Sequence, residues 1–459
     1  MYTIKNGYHQ QMTATHQKID RTPRTRVDTS KATLGPVWRR YLTALGPGLV
    51  AGASDDDPSG IATYAQTGAQ TGLGFAWTAL FTFPLMAAVQ EICDRTALAT
   101  GKGLGELATT RFARRGRVVV GGLMVVLIVA NALNIAADLV AVGAGMHLLH
   151  AGPSALWALL AGALITAVVL AGKFPLLAKV FKILAGTLLA YLIVAVISHP
   201  ALSELARAVF IPHLIWSTTN VNLLIAVLGT TISPYLFFWQ SAHRVEELRE
   251  EREGGNRAVP LKERSTKDAQ RKQRMSRADV FTGMAFSNLV MLAIIVSAAA
   301  TLHAHGQTSI GSAAEAAQAL KPIAGQYSEI LFAAGFIGSG MLAIPVLAGA
   351  GSVGMAGLLG KSWGFSRSPR KAPVFYGLVL VGTLGGTVLS LLHINPIQLL
   401  VISASLNGIA AAPFLLLVML ISRDTSIMGK QRNGHLAATL GWFTTAVMTL
   451  ATIAYFVTL

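Results

Sequence analysis

Apolar residues recur in long uncharged runs along most of the chain. A bilayer core of roughly 30 Å is crossed by about 20 apolar residues in a helix, and eleven runs have a suitable length. They cover residues 42–71, 74–93, 118–146, 155–172, 180–198, 219–242, 279–302, 328–360, 373–392, 396–421 and 436–458. This pattern predicts an all-α integral membrane protein with 11 transmembrane helices. The first and eighth runs exceed one straight span, which indicates a break, a tilt or an extension into water.

The composition and the charge distribution favour the same interpretation. Of the 459 residues, 53% are apolar and only 13% are charged, whereas about 25% are charged in soluble domains. A formal charge of +16 would suggest a nucleic-acid partner in a soluble protein. With a cytoplasmic amino terminus, however, only Arg207 and Lys321 of the 37 Lys and Arg fall in external loops, as the positive-inside rule predicts. We therefore expect an external carboxyl terminus and no nucleic-acid partner.

Two charged segments interrupt this apolar pattern. Residues 1–40 carry eight Lys and Arg and no apolar core of signal-peptide length, so we predict a disordered basic cytoplasmic tail before a transmembrane domain over residues 41–459. Residues 243–277 mix acids and bases and are predicted to form a charged cytoplasmic loop. A regulatory or partner-binding role for that loop is the alternative. Cys93 is the only cysteine, which excludes an intrachain disulfide.

Helix-breaking residues lie in the middle of the first and sixth runs. The first contains GPGLVAGASDDDPSGIATYAQTG, which places Asp55, Asp56 and Asp57 directly before Pro58. The sixth contains GTTISPYLFFWQ, with Pro234 near its centre. Proline removes a backbone donor and clashes with the preceding turn, so we predict that helices 1 and 6 are broken. For the sixth run, a proline kink without a function is the alternative.

The two interruptions lie one five-helix repeat apart. Interrupted helices at corresponding places in two halves indicate a transporter with inverted repeats and a binding site near the membrane midplane. We place the first repeat at about residues 41–198 and the second at about 219–421, with an extra helix at about 436–458.

The three consecutive aspartates indicate the chemistry of this midplane site. An intramembrane carboxylate is costly unless it is paired, neutralised or hydrated, so we expect at least one of them to be functional. One would face the ligand and the others a water-filled mouth, or one would cap the second half-helix. Carboxylate, hydroxyl and carbonyl oxygens suit Mg²⁺, Mn²⁺ or Ca²⁺. The same acids would repel the carboxylate of an amino-acid substrate.

Other polar residues fall within the second and third runs. Asn131, Asn134 and Asp138 are spaced to share one helix face. We interpret Asp138 as part of an ion or proton path and the asparagines as interhelical contacts. Glu91 and Arg95 are spaced as an i, i+4 ion pair. We interpret this pair as structural and expect that its role would be in gating.

These residues resemble the Nramp family of divalent metal transporters, whose members share the 5+5 inverted-repeat architecture of LeuT-like proteins. The run DPSGIATYAQTGA is similar to the family's Asp-Pro-Gly-Asn segment, and TALATGKGLGE and NLVMLAIIVSAAATLH resemble its second and seventh helices. The matched positions imply that Asp57 is the metal-binding aspartate and that Ser54 and Thr230 offer backbone carbonyls. Asn288 matches a recurrent polar position of the seventh helix.

The departures from the family pattern concentrate at the metal site. Gly60 stands where the family has a liganding asparagine. Ser233 and Tyr235 flank Pro234 where the family has Met-Pro-His, so the thioether that favours softer metals is absent. A second histidine, one turn on, is replaced by Gln240.

The proton path of the family is also altered. Asp138 is retained, but Ala141 stands where a glutamate is expected. Ala411 replaces a glutamine of the tenth helix, with Asn407 one turn away as a substitute. Loss of both histidines and of the glutamate implies weak or absent proton coupling.

This combination resembles the Nramp-related magnesium transporter branch. It implies a transporter that moves Mg²⁺ and/or Mn²⁺ by alternating access, as a monomer in the inner (cytoplasmic) membrane and without a resident cofactor. The predicted metal site is Asp57, Ser54, Gly60, Thr230 and Ser233, and the predicted ion-path or proton-related residues are Asp55, Asp56, Asp138, Tyr235, Gln240, Asn288 and Asn407.

Three alternatives stay open at this point. The nearest is a proton-coupled Mn²⁺/Fe²⁺ importer of ordinary Nramp type. The second is an intramembrane hydrolase that uses Asp57 and Asp138 as an acid pair, and the third is a non-transporting metal sensor that signals through the charged loop.

Overall fold

The regular structure of the described residues is helical throughout. The computed structural model describes residues 47–171, 192–193, 195–196, 201–213, 216–251, 257–318, 325–392 and 395–458. The α-helices are α1 (Pro47–Asp55), α2 (Pro58–Thr71), α3 (Trp77–Thr100), α4 (Leu104–Arg111), α5 (Arg114–Leu148), α6 (Ser154–Ala171), α7 (Leu202–Phe210), α8 (Thr218–Thr231), α9 (Pro234–Glu250), α10 (Thr266–Thr301), α11 (Ala313–Gln318), α12 (Ser328–Leu358), α13 (Pro373–Ser390), α14 (Pro396–Arg423), α15 (Thr425–Met428) and α16 (His435–Thr458). Short 3₁₀ helices cover Leu261–Glu263, His303–His305, Gly325–Tyr327 and Gly429–Gln431.

Eight helical segments in this part of the chain are long and apolar enough to cross a membrane. They are α5, α6, α8 together with α9, α10, α12, α13, α14 and α16. The prediction of an all-helical membrane-type protein is therefore confirmed. The count of eleven spans stays a prediction: α1, α2 and α3 occupy the first two apolar runs, and most of the fifth run, 180–198, lies outside the described residues, as does the basic tail 1–40.

Proline sets the helix boundaries within the first and sixth apolar runs. Helix α1 ends at Asp55 and α2 begins at Pro58, with Asp57 in an extended conformation between them. Helix α8 ends at Thr231 and α9 begins at Pro234. Proline is well suited to the first turn of a helix, where its missing N–H has no intrahelical partner, but it cannot continue a preceding helix.

Glycine allows the segments beside these boundaries to pack backbone against backbone. A β-carbon at Gly52 would lie 2.1 Å from the carbonyl oxygen of Gly283, so α1 and α10 approach too closely for any side chain there. A β-carbon at Gly229 would likewise lie 2.1 Å from the carbonyl oxygen of Ala404, which brings α8 against α14. These two contacts place α10 and α14 directly beside the helix interruptions.

A buried ion network joins four helices. The Arg244 guanidinium on α9 donates to Asp94 Oδ1 of α3 at 2.6 Å and to Asp279 Oδ2 of α10 at 3.1 Å. Asp279 Oδ2 also accepts the backbone N–H of Gly48, in the first turn of α1, at 2.8 Å. Gln240 donates its side-chain amide to Asp94 Oδ1 at 2.7 Å. The charge of Arg244 is thus balanced inside the protein by carboxylates from two other helices.

Glu91 of α3 takes part in a second group of ion pairs. It accepts a hydrogen bond from Arg95 at 2.8 Å, in the i, i+4 geometry expected from the sequence. The same oxygen also accepts from Arg277 of α10 at 2.7 Å, a long-range contact that sequence spacing does not indicate. The pair therefore connects α3 to α10.

The charged segment 243–277 is more helical than a loop. Helix α9 extends into it as far as Glu250, and α10 begins within it at Thr266. Arg264 pairs with Glu251 at 2.5 Å between the two helices. Such pairs satisfy charged side chains within the protein. Helices can therefore extend into segment 243–277, although its composition resembles that of a solvated loop.

We expect Arg244→Met to destabilise the protein by about 3–5 kcal/mol, because it leaves Asp94 and Asp279 buried without their cation. The measurement is the midpoint of thermal unfolding of the purified protein in detergent. Arg257→Met is the matched control, since Arg257 pairs with Glu263 at the exposed surface. Equal midpoints for the two variants would show that the network does not stabilise the fold.

Candidate metal centre

The two helix interruptions contact each other directly. The hydroxyl of Tyr235, in the first turn of α9, donates to the backbone carbonyl of Ser54 near the end of α1 at 2.9 Å. The hydroxyl of Thr230, at the end of α8, donates to the Tyr64 hydroxyl on α2 at 3.0 Å. All four residues are buried. The predicted residues Ser54, Thr230 and Tyr235 therefore come from separate parts of the sequence to one place.

Asp57 lies at this meeting point and caps α2. Its Oδ1 accepts the Ser59 hydroxyl at 2.5 Å and the backbone N–H of Gly60 at 2.9 Å. The side chain is only 2% exposed. An ionised carboxylate is favourable at a helix amino terminus, where it meets unpaired N–H groups and the positive end of the helix dipole. Both hydrogen bonds end at Oδ1, so Oδ2 takes no part in these two capping bonds.

Gly60 contributes only backbone to the centre. A β-carbon at this position would lie 3.3 Å from the carbonyl oxygen of Asp55 and 3.3 Å from the Tyr64 ring. The space next to Gly60 is therefore closely bounded. An ion at this place would find no side-chain amide there, in contrast to the family pattern.

The two serine hydroxyls of the centre, those of Ser54 and Ser233, are bonded within their own helices. Ser54 Oγ donates to the carbonyl of Val50 at 2.7 Å. Ser233 Oγ lies 2.7 Å from the carbonyl oxygen of Gly229 and 2.9 Å from that of Thr230. Because each hydroxyl proton is used locally, the hydroxyl oxygens present lone pairs to their surroundings. Acceptor groups of this kind suit a hard cation or its water molecules.

Asp55 and Asp56 face helix α10 and are buried there. The hydroxyl of Ser287 donates to Asp55 Oδ2 at 2.8 Å and lies 3.3 Å from Asp56 Oδ1. The remaining oxygens, Asp55 Oδ1 and Asp56 Oδ2, have no hydrogen-bond partner among the described residues. In this conformation the two aspartates are therefore buried against α10 and do not lie in a water-filled mouth. Sequence reasoning missed Ser287, whose only signal is that it precedes the recurrent polar position Asn288.

Two of the predicted ion-path residues make interhelical contacts elsewhere. Gln240 is bonded to Asp94 in the ion network. Asn288 accepts a hydrogen bond from Thr82 of α3 at 3.0 Å and donates to the carbonyl of Met284 at 3.1 Å. The bonds to Asp94 and Thr82 connect helices, whereas the bond to Met284 lies within α10.

Asp138 lies on α5, beside the start of α2. A β-carbon at Gly340 would touch both the Asp138 carbonyl oxygen, at 3.2 Å, and the Pro58 ring, at 3.3 Å, so the two segments flank the same point of α12. Asn407 of α14 accepts a hydrogen bond from Asn134 of α5 at 2.9 Å. Asp138 thus lies next to the interruption between α1 and α2, and Asn407 is bonded to α5, the helix that carries Asp138.

The described part of the chain contains no group of three or more His, Cys, Asp and Glu side chains arranged to hold a metal. The centre instead combines the Asp57 carboxylate with backbone carbonyls and hydroxyls. Oxygen donors of these kinds are those that hard divalent cations prefer.

Comparison with known sequences identifies similar proteins over nearly the whole chain. The profile of the family described as Natural resistance-associated macrophage protein-like, or Nramp, matches residues 48–458. The divalent metal cation transporter MntH of Klebsiella pneumoniae (strain 342) is 27% identical over 418 residues, which cover 89% of this chain and 92% of that protein. The protein of the same name from Deinococcus radiodurans is 26% identical over 426 residues, covering 90% and 89%.

Solved structures share the fold. A manganese transporter of Eremococcus coleocola superposes with a TM-score of 0.67 at 16% identity, covering 91% of this chain and 87% of that one. MHP1, a nucleobase-cation-symport-1 family transporter, superposes with a TM-score of 0.52 at 15% identity, covering 90% of each chain. These neighbours agree with the LeuT-like architecture that the resemblance implies, whereas the internal inverted repeat stays a prediction. Since the family profile extends from the first turn of α1 to the end of α16, this chain belongs to the Nramp family.

Proposed function

We propose that this protein is a secondary transporter that moves a divalent cation, Mg²⁺ and/or Mn²⁺, across the cytoplasmic membrane by alternating access. The observation that carries the proposal is the contact between the two helix interruptions, where Tyr235 bonds to Ser54 beside the Asp57 carboxylate. Membership of the Nramp family and similarity to divalent metal cation transporters support the same substrate class. The ion would be surrounded by Asp57, Ser54, Gly60, Thr230 and Ser233, through carbonyls, hydroxyls and bound water.

The donor set favours a hard ion. Ser233 offers an oxygen where the family has a thioether, and sulfur ligands favour softer transition metals. Gly60 supplies no side-chain ligand, which leaves coordination positions to water. Mg²⁺ dehydrates reluctantly, so a site that retains water costs Mg²⁺ less than one that strips it.

Proton coupling is proposed to be weak or absent. The two histidines of the family pattern are replaced by Tyr235 and Gln240, neither of which titrates near neutral pH. Gln240 is moreover held by Asp94 in the ion network. A second candidate function, proton-coupled import of Mn²⁺ or Fe²⁺, is favoured by one observation: Asp138 is a fully buried acid whose oxygens have no partner among the described residues.

The membrane setting completes the proposal. The protein would act as a monomer surrounded by lipid, with its amino terminus in the cytoplasm and its carboxyl terminus outside. The bias of Lys and Arg between alternate loops supports this orientation. Glu91 and Arg95 would then lie toward the cytoplasmic end of α3, where their pairing with Arg277 is suited to gating.

We expect Asp57→Asn to reduce divalent-cation uptake by at least about 100-fold, since even outer-shell partners of metal ligands contribute 10- to 100-fold. Asparagine still accepts the capping hydrogen bond of α2, so the loss should reflect the missing charge. The measurement is Mg²⁺ and Mn²⁺ flux into proteoliposomes. Asp424→Asn, at the cap of α15, is the control. Undiminished flux in the Asp57 variant would reject Asp57 as the charged ligand.

We expect Ser233→Met to shift the ion preference from Mg²⁺ toward Mn²⁺ and Cd²⁺, because the substitution adds a soft thioether next to Pro234. The measurement is inhibition of Mn²⁺ uptake by Mg²⁺ and by Cd²⁺ in proteoliposomes. Ser54→Ala, which removes a hydroxyl that is bonded to its own helix, serves as the control for loss of a serine. An unchanged order of inhibition would show that Ser233 does not face the ion.

We expect metal uptake without strong acidification of the vesicle interior. A series of Mg²⁺, Mn²⁺, Ca²⁺ and Fe²⁺ in proteoliposomes that contain a pH-sensitive dye measures ion preference and proton entry together. Empty liposomes provide the background. Proton entry that follows Mn²⁺ uptake in a fixed ratio would instead establish the proton-coupled alternative.

A further inference from the structure

Three polar side chains lie together between helices α5 and α14. Asn134 and Asp138 are one turn apart on α5, and Asn407 lies on α14. Each is at most 1% exposed. The Asn134 side-chain amide donates to Asn407 Oδ1 at 2.9 Å. We refer to these three residues as the Asp138 cluster.

Most of the polar atoms of this cluster lack a partner within the described structure. Both carboxylate oxygens of Asp138, the side-chain oxygen of Asn134 and the side-chain nitrogen of Asn407 make no hydrogen bond there. Buried polar groups in proteins are hydrogen-bonded in the great majority of cases, to protein or to ordered water. Four such atoms on neighbouring side chains therefore point to a ligand that offers several donors.

The cluster adjoins the candidate metal centre. The contact of Gly340 with both the Asp138 carbonyl and Pro58 places α5 beside the start of α2. On the other side, a β-carbon at Gly408, next to Asn407, would lie 2.6 Å from the carbonyl oxygen of Ile225 in α8. The cluster is thus flanked by the two helices that end or begin at the centre.

We propose that the Asp138 cluster is a second binding position, taken by a divalent cation that keeps its inner-sphere waters. The inference rests on the proposed transport function and extends it to a neighbouring site. Waters bound to a divalent cation are strong hydrogen-bond donors, and the cluster offers three acceptor oxygens without partners. The side-chain N–H of Asn407 would repel a bare cation but can donate to an outer water.

This assignment gives the asparagine pair a role beyond connecting two helices. If Asn134 and Asn407 served only to join α5 to α14, they would not need the Asp138 carboxylate, whose oxygens have no hydrogen-bond partner among the described residues, one turn away. With a hydrated ion present, Asn134 and Asp138 share the water shell, and the ion stabilises the buried charge. An ion that keeps its waters, as Mg²⁺ tends to, should depend on this position more than one that releases them.

The direct test is a crystal structure of the whole protein with Mn²⁺, using anomalous scattering to locate the metal. We expect one peak at Asp57 and a second between Asp138, Asn134 and Asn407, at a distance that leaves room for water. The wild-type map decides the matter without any variant. A peak at Asp57 alone, with the cluster empty or filled by water only, would overturn the second position and leave the transport proposal standing. Absence of both peaks, together with absence of uptake, would defeat the transport proposal itself.

A transport measurement complements the map. The double variant Asn134→Ala, Asn407→Ala should lose the second Mn²⁺ peak and keep the one at Asp57. Its Mg²⁺ uptake should fall about tenfold, with a smaller effect on Mn²⁺, because only outer-sphere contacts are removed. Asn131→Ala is the matched control, since Asn131 bonds to the Leu347 carbonyl of α12 instead. Equal Mg²⁺ uptake in the wild type and the double variant would contradict the inference.

Discussion

An interrupted helix in lipid must find partners for its free backbone groups, and the structure meets this constraint by placing two interruptions against each other. No water is available in a bilayer core to satisfy exposed N–H and C=O groups. The carbonyl of Ser54 accepts the Tyr235 hydroxyl, and the first N–H groups of α2 are capped by Asp57. Tyr235 of the second interruption thus supplies a donor to the end of α1, and Asp57 caps α2 within the first interruption. The glycines at positions 52 and 229 let α10 and α14 pack directly against the interrupted segments, because a larger side chain there would meet their backbone.

Buried acidic side chains among the described residues fall into two groups. Some are paired with a cation of the protein, and others are not. Asp94 and Asp279 are paired with Arg244 and bonded further by Gln240 and Gly48. Their charges are balanced within the protein. Asp55, Asp56 and Asp138 have no cation bonded to them within the described residues and retain oxygens without a partner. A fold can tolerate such acids when something from outside the chain balances them, and under the transport proposal the cation would do so.

Local constraints could be predicted from the sequence, whereas contacts between distant residues could not. Pro58 and Pro234 mark the helix starts because proline acts on its own backbone, and the run of aspartates marks the centre because acids are rare in apolar runs. The contacts of Ser287 with Asp55 and of Arg277 with Glu91 depend on how helices are rotated and staggered against one another. The residue pattern of a single sequence does not reveal that rotation. The same limit explains Gln240, whose position suggested an ion path but whose side chain turns to Asp94.

In the proposed site, a preference for a hydrated ion would follow from the ligands that the centre omits. Gly60 offers no side chain, and the Ser54 and Ser233 hydroxyls, which donate within their own helices, offer only oxygen lone pairs. Under the transport proposal, water would complete the coordination, and the bound waters would donate hydrogen bonds to protein oxygens nearby. The partnerless oxygens of Asn134 and Asp138 provide such acceptors beside the centre. Under this proposal, selectivity for a hydrated ion would depend on the groups around the ligands as much as on the ligands themselves.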